Sequence, residues 1–171
     1  EVARDIARSF NHHYGDCFVQ PEARILDSSA KVPGTDGERM SKSYDNIIPV
    51  FEQETALKKQ IMRISTDSRA MEEVKDPETD HLYQLFCLFG KGEQQQEMAA
   101  MYRQGGFGYG DVKKKIAAAA ESYFGPARER REKLIQDPDF VRDVLTAGAA
   151  KARLKAAEVL DRVQHATGLV R

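Results

Sequence analysis

The sequence contains no tryptophan and only two cysteines among its 171 residues. Cys17 and Cys87 lie among apolar neighbours, and neither belongs to a CxxC pair or to a Cys/His group with metal-ligand spacing. This pattern excludes a disulfide-rich scaffold and favours free thiols in a reducing cytosol. We therefore predict a cytoplasmic protein in which both cysteines are unpaired core residues, with no metal ligands of its own.

Long apolar runs and an excess of one charge are also missing. The longest apolar stretches, such as YQLFCLF at 83–89, are far shorter than the roughly 20 residues of a membrane-spanning helix. We therefore predict no membrane span. The formal net charge is -1, so a site for a polyanion has to come from local clustering of cations. With 41% hydrophobic residues, the chain can form one domain, or a small domain plus part of another.

The first residues read as an interrupted helix. EVARDIARSF places Val2, Ile6 and Phe10 at helical spacing, yet neither a capping residue nor an initiator methionine precedes them. We expect the first helix to be cut and the chain to be a piece of a longer protein. The run YGDCFVQPEARILD follows, and its apolar residues Ile25 and Leu26 predict either a strand edge or a loop.

Helical patterns dominate from residue 49 onward, which predicts a mainly α fold: a helical bundle behind a short α/β remnant. An alanine-rich face between Leu145 and Val163 predicts close packing of the last helix on a neighbour. The five predicted helices are PVFEQETALKKQIMRIS with Leu57, Ile61 and Ile64 on one face, TDHLYQLFCLFG capped by Thr79 or Asp80, EQQQEMAAMYRQGG, GDVKKKIAAAAESYFGPARERREKLIQ bent or broken near Gly125-Pro126, and a last helix from Pro138 to Gly168.

One segment carries candidate chemistry. ERMSKSYDN at 38–46 follows the glycine-rich run KVPGTDG, and its two cations and two hydroxyls suit a triphosphate. A Ser/Lys loop is also common on a solvated surface, so spacing alone does not decide between the two interpretations. The glycine-rich QGGFGYGD at 104–111 lacks a preceding strand and a GK[ST] ending, which favours an ordinary interhelix loop.

The segment RMSKS at 39–43 resembles the KMSKS signature of class I aminoacyl-tRNA synthetases, with Arg39 in place of the first Lys. The similarity extends over essentially the whole chain, in the order found in tryptophanyl-tRNA synthetases. The matching segments are KVPGTDGERMSKSYDN, STDS at 65–68, KDPETD at 75–80, GYGDVKKKIA at 108–117, ARERREKL at 127–134 and AGAAKARLKAAEVL at 147–160.

The resemblance implies a domain organisation. Residues 1–48 would be the C-terminal remnant of a Rossmann-type catalytic domain with its KMSKS-type loop, and residues 49–171 a helical anticodon-binding domain. The family's HIGH-type motif and its tryptophan pocket lie outside these residues. We therefore expect the chain alone to be unable to activate tryptophan.

The resemblance also implies a mechanism in which the loop closes over ATP, whose phosphates carry Mg²⁺, while the tryptophan carboxylate attacks the α-phosphate. Lys42 would be catalytic, because it would contact the departing pyrophosphate. Met40 would lie near the adenine, and the backbone of Ile25 would contact it. The resemblance assigns ATP binding to Ile25, Arg39, Met40, Ser41, Lys42 and Ser43.

The helical part would bind tRNA(Trp), and the full-length enzyme would be a homodimer that uses L-tryptophan and ATP. The candidate cations are Lys113, Lys114, Lys115, Arg128, Arg130, Arg131 and Lys133, with a second cluster of Lys151, Arg153 and Lys155. An ordinary solvated helix face, with pairs such as Glu129 with Lys133, is an equal alternative. The acidic segment 72–80 is predicted to be a solvent-facing turn, and His81 and His165 to be surface or helix-end residues.

Two other interpretations stay open. A tyrosyl-type class I synthetase shares the loop signature, although the C-terminal AGAAKARLKAAEVL pattern favours the tryptophanyl type. A non-catalytic helical RNA-binding module, in which RMSKS is a vestigial loop, is the alternative from a different functional class.

Overall fold

The structure is a computed structural model that describes residues 1–26 and 31–170. Within this part the chain is helical and contains no β-strand, apart from one isolated antiparallel bridge between Pro33 and Arg39. The predicted mainly α fold class is therefore confirmed. The elements are α1 (Val2–Tyr14), a 3₁₀ turn (Lys42–Tyr44), α2 (Glu54–Met62), α3 (His81–Cys87), α4 (Gly92–Gln104), α5 (Tyr109–Gln136) and α6 (Pro138–Thr167).

The one strand candidate is a loop where the structure describes it. Ile25 and Leu26 are both exposed and belong to no regular element, and Asp27, which ends that run, lies outside the described residues. None of the helices in 1–26 and 31–170 combines the length and the apolar composition that crossing a membrane requires.

Capping groups determine where two of the helices begin. Asp80 Oδ1 accepts the amide N–H of Leu82 at 2.8 Å at the start of α3, so the structure selects Asp80 over Thr79 as the cap. Helix α6 starts at Pro138, as predicted, and ends at Gly168 with a left-handed φ of 73°. Proline suits a first helical position because its missing N–H is not needed there, and glycine suits the left-handed residue that ends a helix.

Contacts divide the chain into two compact units. One combines the N-terminal segment up to Arg24 with the C-terminal segment from Leu134, and it contains α1 and α6. The other, Ile25–Lys133, contains α2, α3, α4 and most of α5. The division at residues 48 and 49 that the resemblance implies concerns catalytic and anticodon-binding roles, and it stays a prediction.

The hydrophobic core lies in the Ile25–Lys133 unit. The apolar face that the sequence predicted is buried: Leu57 and Ile61 on α2, and Ile64 just after its end, are at most 2% exposed. Burial of such aliphatic side chains stabilises the fold by roughly 1.5 to 3 kcal/mol each. The residues of α3, α4 and α5 that join them in the core are Leu82, Leu85, Phe86, Met98, Tyr102, Val112, Ile116, Ala117 and Ala120.

Helix α5 is continuous although Gly125 and Pro126 lie inside it. Of the two predicted alternatives, a break is therefore wrong, and a bend stays a prediction. Proline removes one backbone N–H, which leaves the carbonyl four residues earlier without its helical partner. That carbonyl belongs to Ser122, an exposed residue, so water can replace the missing donor.

The alanine-rich face of α6 is not packed as predicted, because no residue of α6 is buried and Leu145 is 67% exposed. In its own unit α6 meets the segment after α1, where Arg162 Nη2 donates to the Cys17 carbonyl at 3.2 Å. Both Cys17 and Cys87 are free, as predicted, but each is only partly buried. Periodicity identifies an apolar helix face, and it does not identify the surface that the face meets.

The segment 72–80 contains a buried cation, and the prediction of a solvent-facing turn is wrong for Lys75, Pro77 and Asp80. Lys75 is 1% exposed, and its Nζ donates to the carbonyls of Ala70 and Glu73 at 2.9 and 3.1 Å. It also lies 4.5 Å from the centre of the Phe107 ring. Two carbonyls and an aromatic face replace the water that this ammonium loses on burial.

Lys75→Met should lower the free energy of unfolding by about 2 to 3 kcal/mol, since it removes two charge-assisted hydrogen bonds and a desolvated cation–π contact. Urea unfolding with an unchanged m-value measures this loss. The matched control is Lys114→Met, because Lys114 is exposed and forms a single ion pair with Asp111 at 3.1 Å. That variant should lose less than about 1 kcal/mol. Equal losses in the two variants would contradict the role of Lys75.

Candidate functional site

The RMSKS segment follows a chain reversal. Pro33 and Arg39 pair as the isolated bridge, and the Met40 N–H donates to the Val32 carbonyl at 2.7 Å. Gly37 has a φ of 84°, a left-handed conformation that a side chain disfavours. The glycine-rich segment therefore reverses the direction of the chain, and the 3₁₀ turn begins shortly after it, at Lys42.

Two serines frame that 3₁₀ turn. Ser41 is its N-cap, and the Ser41 Oγ accepts the Ser43 N–H at 3.3 Å and lies 2.8 Å from the Ser43 Oγ. Asp45 ends the turn with a φ of 52°, a conformation that Asp and Asn adopt more readily than most residues. The two hydroxyls are therefore neighbours, with Lys42 between them in the sequence.

A buried asparagine lies behind the loop. Asn46 is 2% exposed, and its side chain makes three hydrogen bonds within residues 36–41. Its Nδ2 donates to Asp36 Oδ1 at 2.8 Å and to the Arg39 carbonyl at 3.1 Å. Its Oδ1 accepts the Ser41 N–H at 2.7 Å. Every hydrogen-bonding atom of this amide group is thus engaged, as a buried polar group requires.

The reversal is also attached to the start of α3. A nitrogen of the His81 ring, Nε2, lies 2.7 Å from the Ser65 carbonyl, and the Ser65 N–H donates to the Thr35 carbonyl at 2.8 Å. A Cβ on Gly37 would come within 3.3 Å of the His81 ring. His81 is a helix-end residue, as predicted, and it supports the reversal that precedes the signature.

The side chains of the signature divide between solvent and core. Arg39, Lys42 and Ser43 are exposed. The Lys42 carbonyl accepts the Asp45 N–H at 3.3 Å, whereas the Lys42 ammonium has no hydrogen bond or ion pair with any residue in 1–26 or 31–170. Met40 points the other way, towards an apolar cavity of about 220 Å³. The other residues that line this cavity are Val32, Ile48, Val50, Leu57, Ile61, Leu85, Leu88, Phe89, Ala120 and Phe124.

Ile25, the remaining predicted ATP contact, is 70% exposed in the loop before the signature. Residues 27–30, which are not described, separate it from KVPGTDG. The assignments of Ile25 and Met40 to the adenine rest on the resemblance and stay predictions.

Sequence reasoning assigned no role to Asp36 and Asn46. Both are Asx residues, and such side chains commonly bond to nearby backbone. That pattern does not show that residues ten positions apart meet. Hydrogen bonding from Asn46 holds the pKa of the Asp36 carboxyl below its usual value, against the opposing effect of desolvation.

Three of the seven candidate cations on α5 are engaged within the chain. Lys113 Nζ donates to the Met62 carbonyl at 3.4 Å, and burial lowers the pKa of this ammonium. Lys114 pairs with Asp111. Arg128 is buried, and its Nη1 donates to both carboxylate oxygens of Glu121 at 2.9 Å.

The other cations on α5 are exposed: Lys115, Arg130, Arg131 and Lys133. The predicted pair between Glu129 and Lys133 is not among the ion pairs of the described residues. On α6, Lys155 pairs with Glu158 at 2.7 Å, whereas Lys151 and Arg153 are exposed. Three of the four exposed cations on α5 therefore lie near its C-terminal end, and Lys115 lies closer to its N-terminal end.

Residues 1–125 match the model of a family described as "tRNA synthetases class I (W and Y)". The chain belongs to this family. It is 55% identical over 169 residues to the tryptophan–tRNA ligase of Rhodopirellula baltica, and 44% identical over 171 residues to that of Fusobacterium nucleatum. Each alignment includes 99% of this chain but only 53% and 52% of the relatives. The chain thus spans about half the length of these curated relatives.

A solved structure of the same synthetase family has a similar fold. It is the crystal structure of tryptophanyl-tRNA synthetase from Campylobacter jejuni complexed with ADP and tryptophan, with a TM-score of 0.77 at 41% identity. The match covers 98% of this chain and 52% of that one. The resemblance to tryptophanyl-tRNA synthetases is therefore confirmed, and the fold is similar to their C-terminal region.

The Asp36–Asn46 hydrogen bond predicts a specific pH dependence. Because the folded-state pKa of Asp36 is lowered, its contribution to stability is present above the ordinary carboxyl pKa of about 3.9. That contribution is lost as the pH falls through the lower folded-state value. An NMR titration of the Asp36 carboxyl carbon should give a pKa below about 3.9, and Asn46→Ala should raise it. An unchanged midpoint in the variant would contradict this cause of the shift.

Proposed function

We propose that this chain is the part of a tryptophan–tRNA ligase that supplies the ATP loop and the tRNA-binding helices. The full-length protein would activate L-tryptophan with ATP and transfer it to tRNA(Trp), as a homodimer, and these 171 residues alone would be inactive. The observation that supports the proposal best is the setting of Lys42. It is an exposed ammonium without a partner among the described residues, on a capped turn inside the RMSKS signature.

The chemistry of the loop suits a departing pyrophosphate. When the tryptophan carboxylate attacks the α-phosphate, the bond to the leaving group breaks and negative charge grows on the pyrophosphate. An ammonium placed beside that charge stabilises the transition state more than the ground state, and so raises the rate. Lys42 would supply this ammonium, and Arg39 a second, planar cation. Mg²⁺ enters as the counter-ion of the ATP phosphates.

The paired serines provide a neutral complement to these cations. The hydrogen bond between the Ser41 and Ser43 hydroxyls uses one of their two protons, so the other remains available to a phosphate oxygen. Either hydroxyl can be the donor, which lets the pair adjust to a bound phosphate without moving the backbone of the turn.

Lys42→Ala in the full-length protein should slow tryptophan-dependent ATP–pyrophosphate exchange by about 100- to 1,000-fold, because the developing charge then has no ammonium beside it. The matched control is Lys59→Ala, since Lys59 is an exposed lysine on α2 in the same compact unit. Its exchange rate should equal that of the unmodified protein.

An unchanged rate in Lys42→Ala would remove Lys42 from the mechanism. Exchange that depends on tyrosine instead of tryptophan would identify the tyrosyl-type enzyme. A full-length protein that binds RNA but shows no exchange with any amino acid would support the non-catalytic binding module.

The RNA-binding part of the proposal depends on the exposed cations. Arg130 and Arg131 have no ion-pair partner among the described residues, and Lys133 follows them on the same helix. Cations that form no internal pairs can displace counter-ions from RNA phosphates, whereas Lys114 and Arg128 would first have to leave their carboxylates. Arg130, Arg131 and Lys133 are therefore better candidates for contacting tRNA than Lys114 and Arg128.

Arg130→Glu combined with Arg131→Glu should weaken binding of tRNA(Trp) to the full-length protein. It should also reduce the slope of log affinity against log salt by about 0.7 to 0.9 for each phosphate that the protein no longer neutralises. Filter binding at several salt concentrations measures this slope. The matched control reverses two exposed lysines on α2, Lys58→Glu with Lys59→Glu. Identical slopes in both double variants would show that Arg130 and Arg131 belong to an ordinary solvated face.

A further inference from the structure

The loop beneath Lys42 is held by one buried side chain. The amide group of Asn46 connects three separate points of the reversal: the Asp36 carboxylate, the Arg39 carbonyl and the Ser41 N–H. We call these four residues the Asn46 clamp. The amide donates two hydrogen bonds and accepts a third. A side chain that can only donate or only accept could not form all three in its place.

The backbone around the clamp leaves the asparagine little freedom. The Asn46 carbonyl accepts the Thr35 N–H at 2.9 Å. Gly34 lies so close that a Cβ there would come within 2.5 Å of Asn46 Cγ and 2.6 Å of the Asn46 carbonyl oxygen. Any side chain at position 34 would thus collide with Asn46, so only glycine fits there without a shift of the asparagine.

The clamp is directly connected to Lys42. Ser41, a member of the clamp, is the N-cap of the 3₁₀ turn, and Lys42 is the first residue of that turn. The Ser41 N–H at the base of the turn is partly buried and hydrogen-bonded to Asn46, whereas the Lys42 side chain is exposed and has no partner among the described residues. Once the backbone at Ser41 is fixed, only the side-chain rotamer of Lys42 has to be selected before its ammonium can contact a phosphate.

We propose that Asn46 is a positioning residue for Lys42: it fixes the start of the turn, so that the ammonium meets the departing pyrophosphate without the backbone having to order first. This inference rests on the proposed function, and it adds a residue that does not itself contact ATP. The network that ties the reversal to His81 through Ser65 and Thr35 supports the clamp from the helical side.

A positioning role predicts a kinetic pattern in the full-length protein. Asn46→Ala should reduce the rate of ATP–pyrophosphate exchange by up to about 100-fold, since misplacement of a catalytic group by about 1 Å has an effect of that size. The KM for tryptophan should stay unchanged. Lys42→Ala combined with Asn46→Ala should be about as slow as Lys42→Ala alone, because Asn46 acts through Lys42. Additive losses would overturn the proposal.

A second pair of variants tests the clamp without Asn46→Ala, which could fail to fold. Asn46→Asp retains the acceptor for the Ser41 N–H but places a carboxylate against Asp36, so exchange should slow. Adding Asp36→Asn restores a donor–acceptor pair between the two side chains, and part of the lost rate should return. Failure of the second substitution to recover any rate would count against the clamp.

Amide hydrogen exchange tests the clamp without any catalysis. In the full-length protein without ATP, the Ser41 amide should be protected, and Asn46→Ala should accelerate its exchange by roughly fivefold or more, as expected for the loss of one hydrogen bond. Unchanged exchange at Ser41 would overturn the proposal even if the enzyme is active. Absence of tryptophan-dependent activity in the unmodified protein would instead defeat the proposed function, while protection at Ser41 would still report on the clamp.

Discussion

The geometry of the RMSKS loop depends on the burial of one amide, that of Asn46. A glycine-rich reversal of this length has many accessible backbone conformations, and the entropy lost on ordering it is large. The Asn46 amide offsets this loss with three hydrogen bonds, and the asparagine itself is only 2% exposed. Since an unpaired buried amide would be costly, the loop and the asparagine stabilise each other's position.

The protein uses the same cationic residue types in two opposite ways. Lys75 and Arg128 are buried. The Lys75 ammonium donates to two carbonyls and lies beside the Phe107 ring, and Arg128 donates to the Glu121 carboxylate on its own helix. Lys42 and Arg39 are exposed and keep their charge available. Because the energy of an ion depends on its desolvation and on its partners, a count of lysines and arginines does not distinguish a structural cation from a binding one.

Several elements were predictable because local chemistry determines them. A cap at Thr79 or Asp80, the start of α6 at Pro138 and its end at Gly168 follow from groups within a few residues of each helix end, and the structure then selects Asp80. The buried face of α2 follows from periodicity. Two expectations failed for different reasons. Helix α5 is not broken at Pro126, because the carbonyl that loses its donor belongs to the exposed Ser122. Segment 72–80 contains buried residues because the Phe107 ring lies beside the Lys75 ammonium and two carbonyls accept from it.

The sequence by itself determined the helical fold class, the family and the residues of the signature, because each is written in neighbouring positions or in their order along the chain. Only the tertiary structure decided which cations remain available and which residue holds the loop. Asp36 and Asn46 are ten positions apart, and Arg128 meets Glu121 two turns away on α5. Burial and hydrogen bonding depend on distances in space, which a linear pattern does not contain.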